Sequence, residues 1–467
     1  MRGSLLRLWL LTAGVATGAA LPELGRFAWP ALAIGLATVC LRRKPALFLL
    51  ALFLFGFGSG ALAARARSSG GESLRDLAKQ VRFCDVTGRI LEEAGGLGSL
   101  ASLDHVSCAQ AQYLQPGVVV LETTVPAGSD FRASGWVLPL GTDRFDVARA
   151  RAGAHAELAV DELSATPPQG LSAVATSVRY GLREAGRHLP DEPAGLIRGL
   201  TIGDTSGLSQ LTIDRFRRAG LSHLLAVSGA NVAIVLGGVA VLVARLSFRM
   251  RVAAGAVGLF LFVLVVGPDA SVLRAAAMGA VGLTAIASGR RAEPLHALGL
   301  AVIVIVLLRP QIVYSVGLHL SLAATAGIIL WASQIERRAP LPAVVSLPLA
   351  VTLAAQVAVL PVLVLVFGEA SLVAPVTNLM AAAAVPPATI LGLAGAVAGT
   401  AHPWLGGLVL RIAEPFAAWI LFVGRVGAEP SWATLALPTW AGAVLALPVL
   451  GAVIWTLRSY GAPISLD

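Results

Sequence analysis

The chain has 467 residues, of which 56% are hydrophobic and only 13% are charged. About a quarter of the residues of an average soluble protein are charged, so this composition excludes an ordinary soluble domain. Several apolar runs approach the roughly 20 residues that span a bilayer, which predicts a polytopic α-helical membrane protein. The net charge of +9 fits Lys and Arg in cytoplasmic loops, and it also fits a polyanionic partner such as DNA.

An N-terminal membrane region is predicted over residues 1–64. Its candidate spans cover residues 5–21, 28–41 and 45–64. Arg2 and Arg7 open the first span, and the basic turn Arg42-Arg43-Lys44 follows the second. Because basic residues favour the cytoplasmic side, we expect a cytoplasmic N-terminus and an extracytoplasmic segment after the third span.

Residues 65–170 form one long polar segment filled with β-type runs that Gly and Pro interrupt. The candidate strands cover residues 82–91, 117–124, 135–140 and 154–163. About five short strands suit a small Greek-key barrel of the OB type, and a β-sandwich fits almost as well. Cys84 and Cys108 both lie in this segment. Outside the cytoplasm they would be able to form a disulfide.

Residues 171–195 predict an amphipathic helix that lies in the membrane interface. Arg179, Arg183 and Arg187 recur every four residues and form a cationic stripe on one face. We favour a solvated face for this stripe over a phosphate-binding one.

The second half of the chain, residues 196–467, is predicted to be membrane-embedded. Candidate spans cover residues 221–244, 252–266, 271–288, 295–308 and 316–331. Proline-interrupted runs at residues 343–367, 371–398, 404–423 and 435–457 predict kinked or re-entrant helices. Irregular backbone at membrane depth survives only where it packs in protein or lines a cavity.

Polar side chains lie within or beside these spans, where they are costly. A single one usually makes a helix–helix hydrogen bond worth about 1 kcal/mol, whereas an unpaired arginine costs roughly 2.5 kcal/mol unless it reaches the headgroups. Their number favours a shared polar path through the membrane. The predicted path residues are His223, Ser228, Asn231, Arg274, His319, Ser321, Gln356 and Asn378.

Catalytic signatures are missing from the sequence. It contains no Gly-x-Ser-x-Gly or His-Glu-x-x-His motif, no phosphate-binding loop and no His pair at metal-ligand spacing. His223 and Ser228 are five residues apart and share a helix face poorly, which disfavours intramembrane hydrolysis. We therefore predict no enzyme activity, cofactor or metal.

Several sequence blocks resemble the ComEC-type DNA-internalisation (competence) family over residues 196–457. The main block is Leu200 to Asp204 followed by Phe216 to Gly229, which includes Ser-His-Leu-Leu-Ala-Val-Ser-Gly. Later blocks with matching order are Ser271 to Ala275, Gly317 to Ala324, and Gln356 to Asn378. The polar segment is similar to the family's OB-like domain. Asn231 departs from the family's usual Ser-Gly-x-His pattern.

The resemblance implies a channel in the bacterial inner membrane that passes single-stranded transforming DNA into the cytoplasm during natural competence. The β domain would receive DNA outside by base stacking. The candidate stacking residues are Phe83, Tyr113, Phe131 and Trp136. The implied partners are membrane lipid, a DNA receptor, a separate nuclease and a cytoplasmic DNA translocase.

Many members of this family also carry a metallo-β-lactamase-like domain with a His-x-His-x-Asp-His motif. The printed sequence contains no such motif, so we expect a channel form without that domain. A transporter or exporter of another polar solute is the alternative function.

Overall fold

The structure is a computed structural model of the chain. The residues it describes are 2–20, 72–93, 98–108, 111–113, 117–123, 125–141, 146, 149–150, 153–225, 227–267, 270–289 and 293–459. The predicted spans at 28–41 and 45–64 lie outside these residues, as does the basic turn between them.

The polar segment folds into a closed five-stranded barrel with the OB topology. Helices α1 (Arg2–Ala20) and α2 (Glu72–Ala78) precede it. The strands are β1 (Arg82–Glu93), β2 (Ser99–Cys108), β3 (Ala111–Tyr113), β4 (Val118–Leu121), β5 (Asp130–Leu138) and β6 (Ala156–Thr166). Neighbouring strands follow the order β1-β2-β4-β6-β5 and close back onto β1, while the short β3 flanks β2. Only β4 and β6 are parallel among these pairs. The predicted OB-like barrel is confirmed.

Alternation of side chains builds the barrel core. On β5 every second residue is buried, so Phe131, Ala133 and Val137 point inward. Leu74 and Leu77 of α2 join the same cluster and cover part of the barrel interior. Cys84 and Cys108 face each other across β1 and β2 and form the expected disulfide. The sequence prediction missed β2, which carries one of these cysteines.

Helices make up the rest of the chain. After the barrel come α3 (Leu171–Gly186), α4 (Asp191–Ile202), α5 (Gln210–Arg218), α6 (Gly229–Leu242), α7 (Phe248–Val266), α8 (Ala270–Ala287) and α9 (Pro294–Leu308). A π-helical stretch, Ile328–Ala332, joins α10 (Val316–Gly327) to α11 (Ser333–Arg338). The remaining elements are α12 (Ala343–Phe367), β7 (Glu369–Ser371), α13 (Ala374–Ala382), α14 (Val385–Ala401), α15 (Pro403–Ala428), β8 (Thr434–Ala436) and α16 (Trp440–Ser459).

The helical half is that of a multi-pass membrane protein. Within the described residues, four helical segments are long and apolar enough to cross a bilayer: Phe248–Val266, Val316–Arg338, Val345–Phe367 and Pro403–Ala428. Helices α13 and α14 meet at a 52° bend and make a fifth if they are taken as one span. This bend confirms a kinked helix in the proline-rich part of the chain.

One predicted span is wrong as drawn. Residues 221–244 do not form a continuous helix, because a single 3₁₀ turn at Ser222–Leu224 is separated from α6, which begins at Gly229. The polar signature residues therefore lie largely in a non-helical stretch between α5 and α6.

Helix α3 packs tightly against other helices. Gly181 lets the backbone of α14 at Gly399 come close to α3. A Cβ on Gly181 would lie 2.7 Å from the Thr400 nitrogen. The arginine stripe is engaged by protein groups: Arg179 donates to the Val265 carbonyl at 2.6 Å and Arg183 pairs with Asp204 at 3.0 Å. The interfacial placement of residues 171–195 stays a prediction.

His155 makes the barrel sensitive to acid. It is buried and accepts a hydrogen bond at Nδ1 from the Val118 N–H at 3.0 Å. Burial, with a smaller contribution from the charge of Arg75, lowers the pKa of His155 from 6.5 to about 4. The folded state therefore favours the neutral ring, and its stability falls as pH drops from 6.5 towards 4, because the unfolded chain takes up the proton first.

We expect the barrel to lose up to about 3 kcal/mol of stability across that interval. Hydrogen exchange of the β4 and β6 amides, corrected for intrinsic rates, measures this loss. His155→Gln should flatten the profile, since a glutamine oxygen accepts the same bond without titrating. The matched control is His105→Gln on β2. An unchanged profile in His155→Gln would contradict the assignment.

Candidate functional site

The stretch between α5 and α6, residues 219–228, is here called the connector. Leu221, Leu224 and Val227 are buried and anchor it in the helical core. His223, on the single 3₁₀ turn, is exposed between these buried neighbours. Since the described part of the connector is not α-helical, the carbonyls outside its single 3₁₀ turn need partners from elsewhere in the protein.

The start of the connector is held by β7 and α13. Thr377 Oγ donates to the Ala219 carbonyl at 2.7 Å, and Asn378 Nδ2 contacts the Gly220 carbonyl at 3.4 Å. Gly220 has φ 73°, and a Cβ there would lie 2.4 Å from the Ala374 Cβ. Both the backbone conformation and this close approach require glycine.

A second layer supports this grip. Ser371 Oγ, on β7, donates to the Arg218 carbonyl at 2.8 Å, and Gln356 Nε2 reaches the Ser371 carbonyl at 3.4 Å. Arg217 lies 3.8 Å from Glu369 in an exposed ion pair. Of the predicted residues, Asn378 therefore contacts the connector directly, whereas Gln356 contacts β7, which in turn bonds the last residue of α5.

The end of the connector is held by α8 and α4. Ser271 Oγ donates to the Val227 carbonyl at 2.7 Å. Asn231 Nδ2 donates to the Leu200 carbonyl at 2.8 Å, which supplies a partner for the last turn of α4. Ser228 Oγ lies 3.5 Å from Asn231 Oδ1.

Arg274 links α8, α10 and the start of α6. Its Nε donates to Ser321 Oγ at 2.8 Å, and its Nη1 donates to Thr325 Oγ at 2.6 Å. A Cβ on Gly229 would lie 2.7 Å from Nη2, so the glycine makes room for the guanidinium. Among the described residues no carboxylate lies within ion-pair distance of Arg274. Neutral hydroxyls therefore solvate this cation.

The burial of these residues revises the sequence-based picture. Asn231 is 2% exposed and Arg274 is 7% exposed: Asn231 bonds the Leu200 carbonyl, and Arg274 bonds the hydroxyls of Ser321 and Thr325. Their part in a path stays a prediction. His223 and His319 are the exposed members of the predicted set. Sequence reasoning missed Thr377, Ser271 and Thr325, although Thr325 follows Ser321 by one helical turn, the spacing of side chains on one face.

The barrel surface carries an exposed aromatic pair. Phe83 and Trp136 are cross-strand neighbours, 41% and 48% exposed, with ring centroids 5.5 Å apart in an edge-to-face arrangement. Phe131 is 4% exposed because its ring belongs to the barrel core, so its predicted stacking role is wrong. The side chain of Tyr113 lies outside the described part.

The described residues bring together no group of three or more His, Cys, Asp or Glu side chains that would suit a metal ion.

Comparison with known proteins gives two matches. The sequence profile described as "Competence protein" matches residues 200–460. The chain is 32% identical over 194 residues to ComE operon protein 3 of Bacillus subtilis (strain 168), a match that covers 41% of this chain and 25% of that protein. No solved structure matches significantly.

Removing both hydroxyl partners of Arg274 should destabilise the helical half. The double variant Ser321→Ala with Thr325→Val leaves a buried guanidinium short of two acceptors, and hydrogen bonds to charged groups are worth about 1.5–3 kcal/mol each. We expect a clear fall in the melting temperature of the purified chain in detergent. Thr284→Val on α8, an exposed threonine that bonds only its own helix, is the control. Equal melting temperatures for the double variant and this control would contradict the brace.

Proposed function

The chain belongs to the competence protein family, and we propose from this that it passes one strand of transforming DNA across the cell membrane. The family profile covers more than half of the chain, and the similar Bacillus subtilis protein is named for the ComE operon. The matched stretch spans a quarter of that protein's length, so the proposal concerns the membrane part that this chain contains.

The observation that carries the proposal is the position of His223. Buried apolar residues lie on both sides of it in a connector whose ends are held by side chains of β7, α13 and α8, yet its own side chain is exposed. A polar ring facing lipid is costly, whereas a water-filled path satisfies it. DNA needs such a path because every nucleotide carries a phosphate charge. The connector therefore lines the path in our proposal, with His319 as a second exposed polar group.

The buried polar residues have a supporting role in this proposal. Asn378 bonds the Gly220 carbonyl of the connector, Asn231 joins α6 to α4, and Arg274 joins α8 to α10. In this proposal they shape the path by holding the connector and the helices beside it. Ser228 is the N-cap of α6 and its side chain makes no capping hydrogen bond, and the N-terminus of a helix favours an anion.

The barrel is the proposed receiving surface outside the membrane. Phe83 and Trp136 offer exposed ring faces and edges to unstacked bases, which suits sequence-independent contact with a single strand. An N-terminus in the cytoplasm would place the barrel outside. A DNA receptor, a separate nuclease and a cytoplasmic translocase complete the proposed pathway, and the chain itself acts without catalysis.

Replacing His223 tests the path. We expect His223→Ala to lower transformation frequency by roughly tenfold, the effect of about 1.4 kcal/mol at a rate-limiting step. Membrane levels of the variant are matched to wild type by immunoblot. The control is His402→Ala, an exposed histidine at the start of α15. Wild-type transformation by His223→Ala would contradict a path at the connector and favour transport of another polar solute.

Replacing the aromatic pair tests the receiving surface. Phe83→Leu with Trp136→Leu keeps the surface apolar but removes both rings. Because stacking is worth about 1–3 kcal/mol per base, we expect at least a roughly fivefold loss of affinity for a labelled single-stranded oligonucleotide. Fluorescence anisotropy on the full chain in detergent measures it, with Tyr180→Leu, an exposed α3 residue, as control. Unchanged affinity in the double variant would rule this surface out.

A further inference from the structure

A groove of about 430 Å³ lies away from the connector, between α5 and the second half of α15. Its apolar floor includes Leu211 and Phe216 of α5 and Phe422 of α15. Its polar residues are Glu192, Arg215 and Arg425. The groove thus combines charged groups with a hydrophobic surface in one small site.

The two arginines give the groove an unsatisfied positive charge. Among the described residues, neither Arg215 nor Arg425 has a carboxylate within ion-pair distance. The nearby Glu192 carboxylate feels the charge of Arg215, but its hydrogen bonds come from hydroxyls: Ser209 Oγ donates to Oε1 at 2.6 Å, and Thr212 Oγ donates to Oε2 at 2.5 Å. The lining residues therefore carry a net charge of +1, from two arginines and one glutamate.

The apolar floor continues onto an exposed apolar surface of a helix long enough to cross a bilayer. Helix α15 lies in the candidate span Pro403–Ala428, and Arg425 belongs to its last turn. Leu211 and Phe422 expose about half of their surface beside the arginines. Trp419 and Trp432 are also exposed near this end of α15, and tryptophan is enriched where membrane meets water. The groove therefore matches the level at which lipid headgroups begin.

We propose that this groove binds the headgroup of an anionic phospholipid such as phosphatidylglycerol, with the phosphate between Arg215 and Arg425. Arginine forks match phosphate oxygens, and basic pockets between membrane helices are suited to anionic headgroups. The acyl chains lie along Leu211 and Phe422. The glycerol hydroxyls of the headgroup donate to the free lone pairs of Glu192, which explains a carboxylate in a phosphate site.

Lipid suits this groove better than DNA does. A nucleic acid strand needs a basic track several phosphates long, whereas this site holds two arginines beside a carboxylate. The exposed apolar side chains beside the arginines would have no partner on a phosphodiester backbone, whereas acyl chains would pack against them. The inference is independent of the proposed DNA path, because it uses none of the connector residues.

Native mass spectrometry of the full chain tests this site. The protein is released from nanodiscs that contain equal amounts of phosphatidylglycerol, phosphatidylethanolamine and phosphatidylcholine, and the retained lipids are counted. We expect wild type to keep phosphatidylglycerol preferentially. Arg215→Gln with Arg425→Gln should weaken its retention by roughly 20-fold, since each arginine near a membrane contributes about fivefold.

The matched control is Arg411→Gln, an exposed arginine on α15 that does not line the groove, and it should retain phosphatidylglycerol as wild type does. Arg215→Lys with Arg425→Lys keeps the charge and should preserve much of the preference, which separates lipid binding from misfolding. Equal retention of all three lipids by wild type would overturn the proposal. Unaltered retention of phosphatidylglycerol in the double glutamine variant would overturn it as well. So would a double glutamine variant that loses oligonucleotide binding but retains phosphatidylglycerol as wild type does.

Discussion

The arrangement of the helical half depends on one constraint: a non-helical backbone among apolar helices must find hydrogen-bond partners outside itself. The connector meets this constraint through side chains from β7, α8 and α13, which donate to the carbonyls of Arg218, Ala219, Gly220 and Val227. A continuous helix would satisfy the same carbonyls internally and present a uniform apolar face. Breaking the helix creates a turn that displays His223, at the cost of recruiting donors from distant parts of the chain.

Arg274 shows how the same core accommodates a charge. Its guanidinium is buried, and the hydroxyl oxygens of Ser321 and Thr325 accept hydrogen bonds from it. Hydroxyl acceptors stabilise a buried cation less than a carboxylate does. We therefore infer that the value of Arg274 lies in holding α8, α10 and α6 in register. Gly229 is part of this arrangement, because any side chain there would displace Nη2. The glycine of the signature's Ser-Gly pair thus leaves space for the arginine.

Composition and periodicity predicted the membrane class, the long apolar helices at residues 252–266, 343–367 and 404–423, and the barrel, because these depend on local patterns of apolar residues. They failed where distant contacts decide the structure. The run at residues 221–244 is apolar enough for one helix, yet it is interrupted before α6, where Ser271, far along the chain, satisfies the Val227 carbonyl. Strand β2 was missed since its alternation is diluted by Ser and Asp residues, and only pairing with β1 and β4 defines it. Phe131 resembled its exposed aromatic neighbours until the strand register placed it inward.

Asn231 illustrates why a sequence departure need not change a site. The related pattern has histidine at this position, so asparagine would remove a titratable group from any path it faced. The side chain is instead buried, and its amide donates to the Leu200 carbonyl in the last turn of α4. That task needs one neutral N–H donor at a fixed place, which the asparagine amide supplies and a neutral imidazole also carries. A charge there would be a disadvantage, since burial opposes it. The requirement at this position is a hydrogen bond between α6 and α4, and asparagine meets it at any pH.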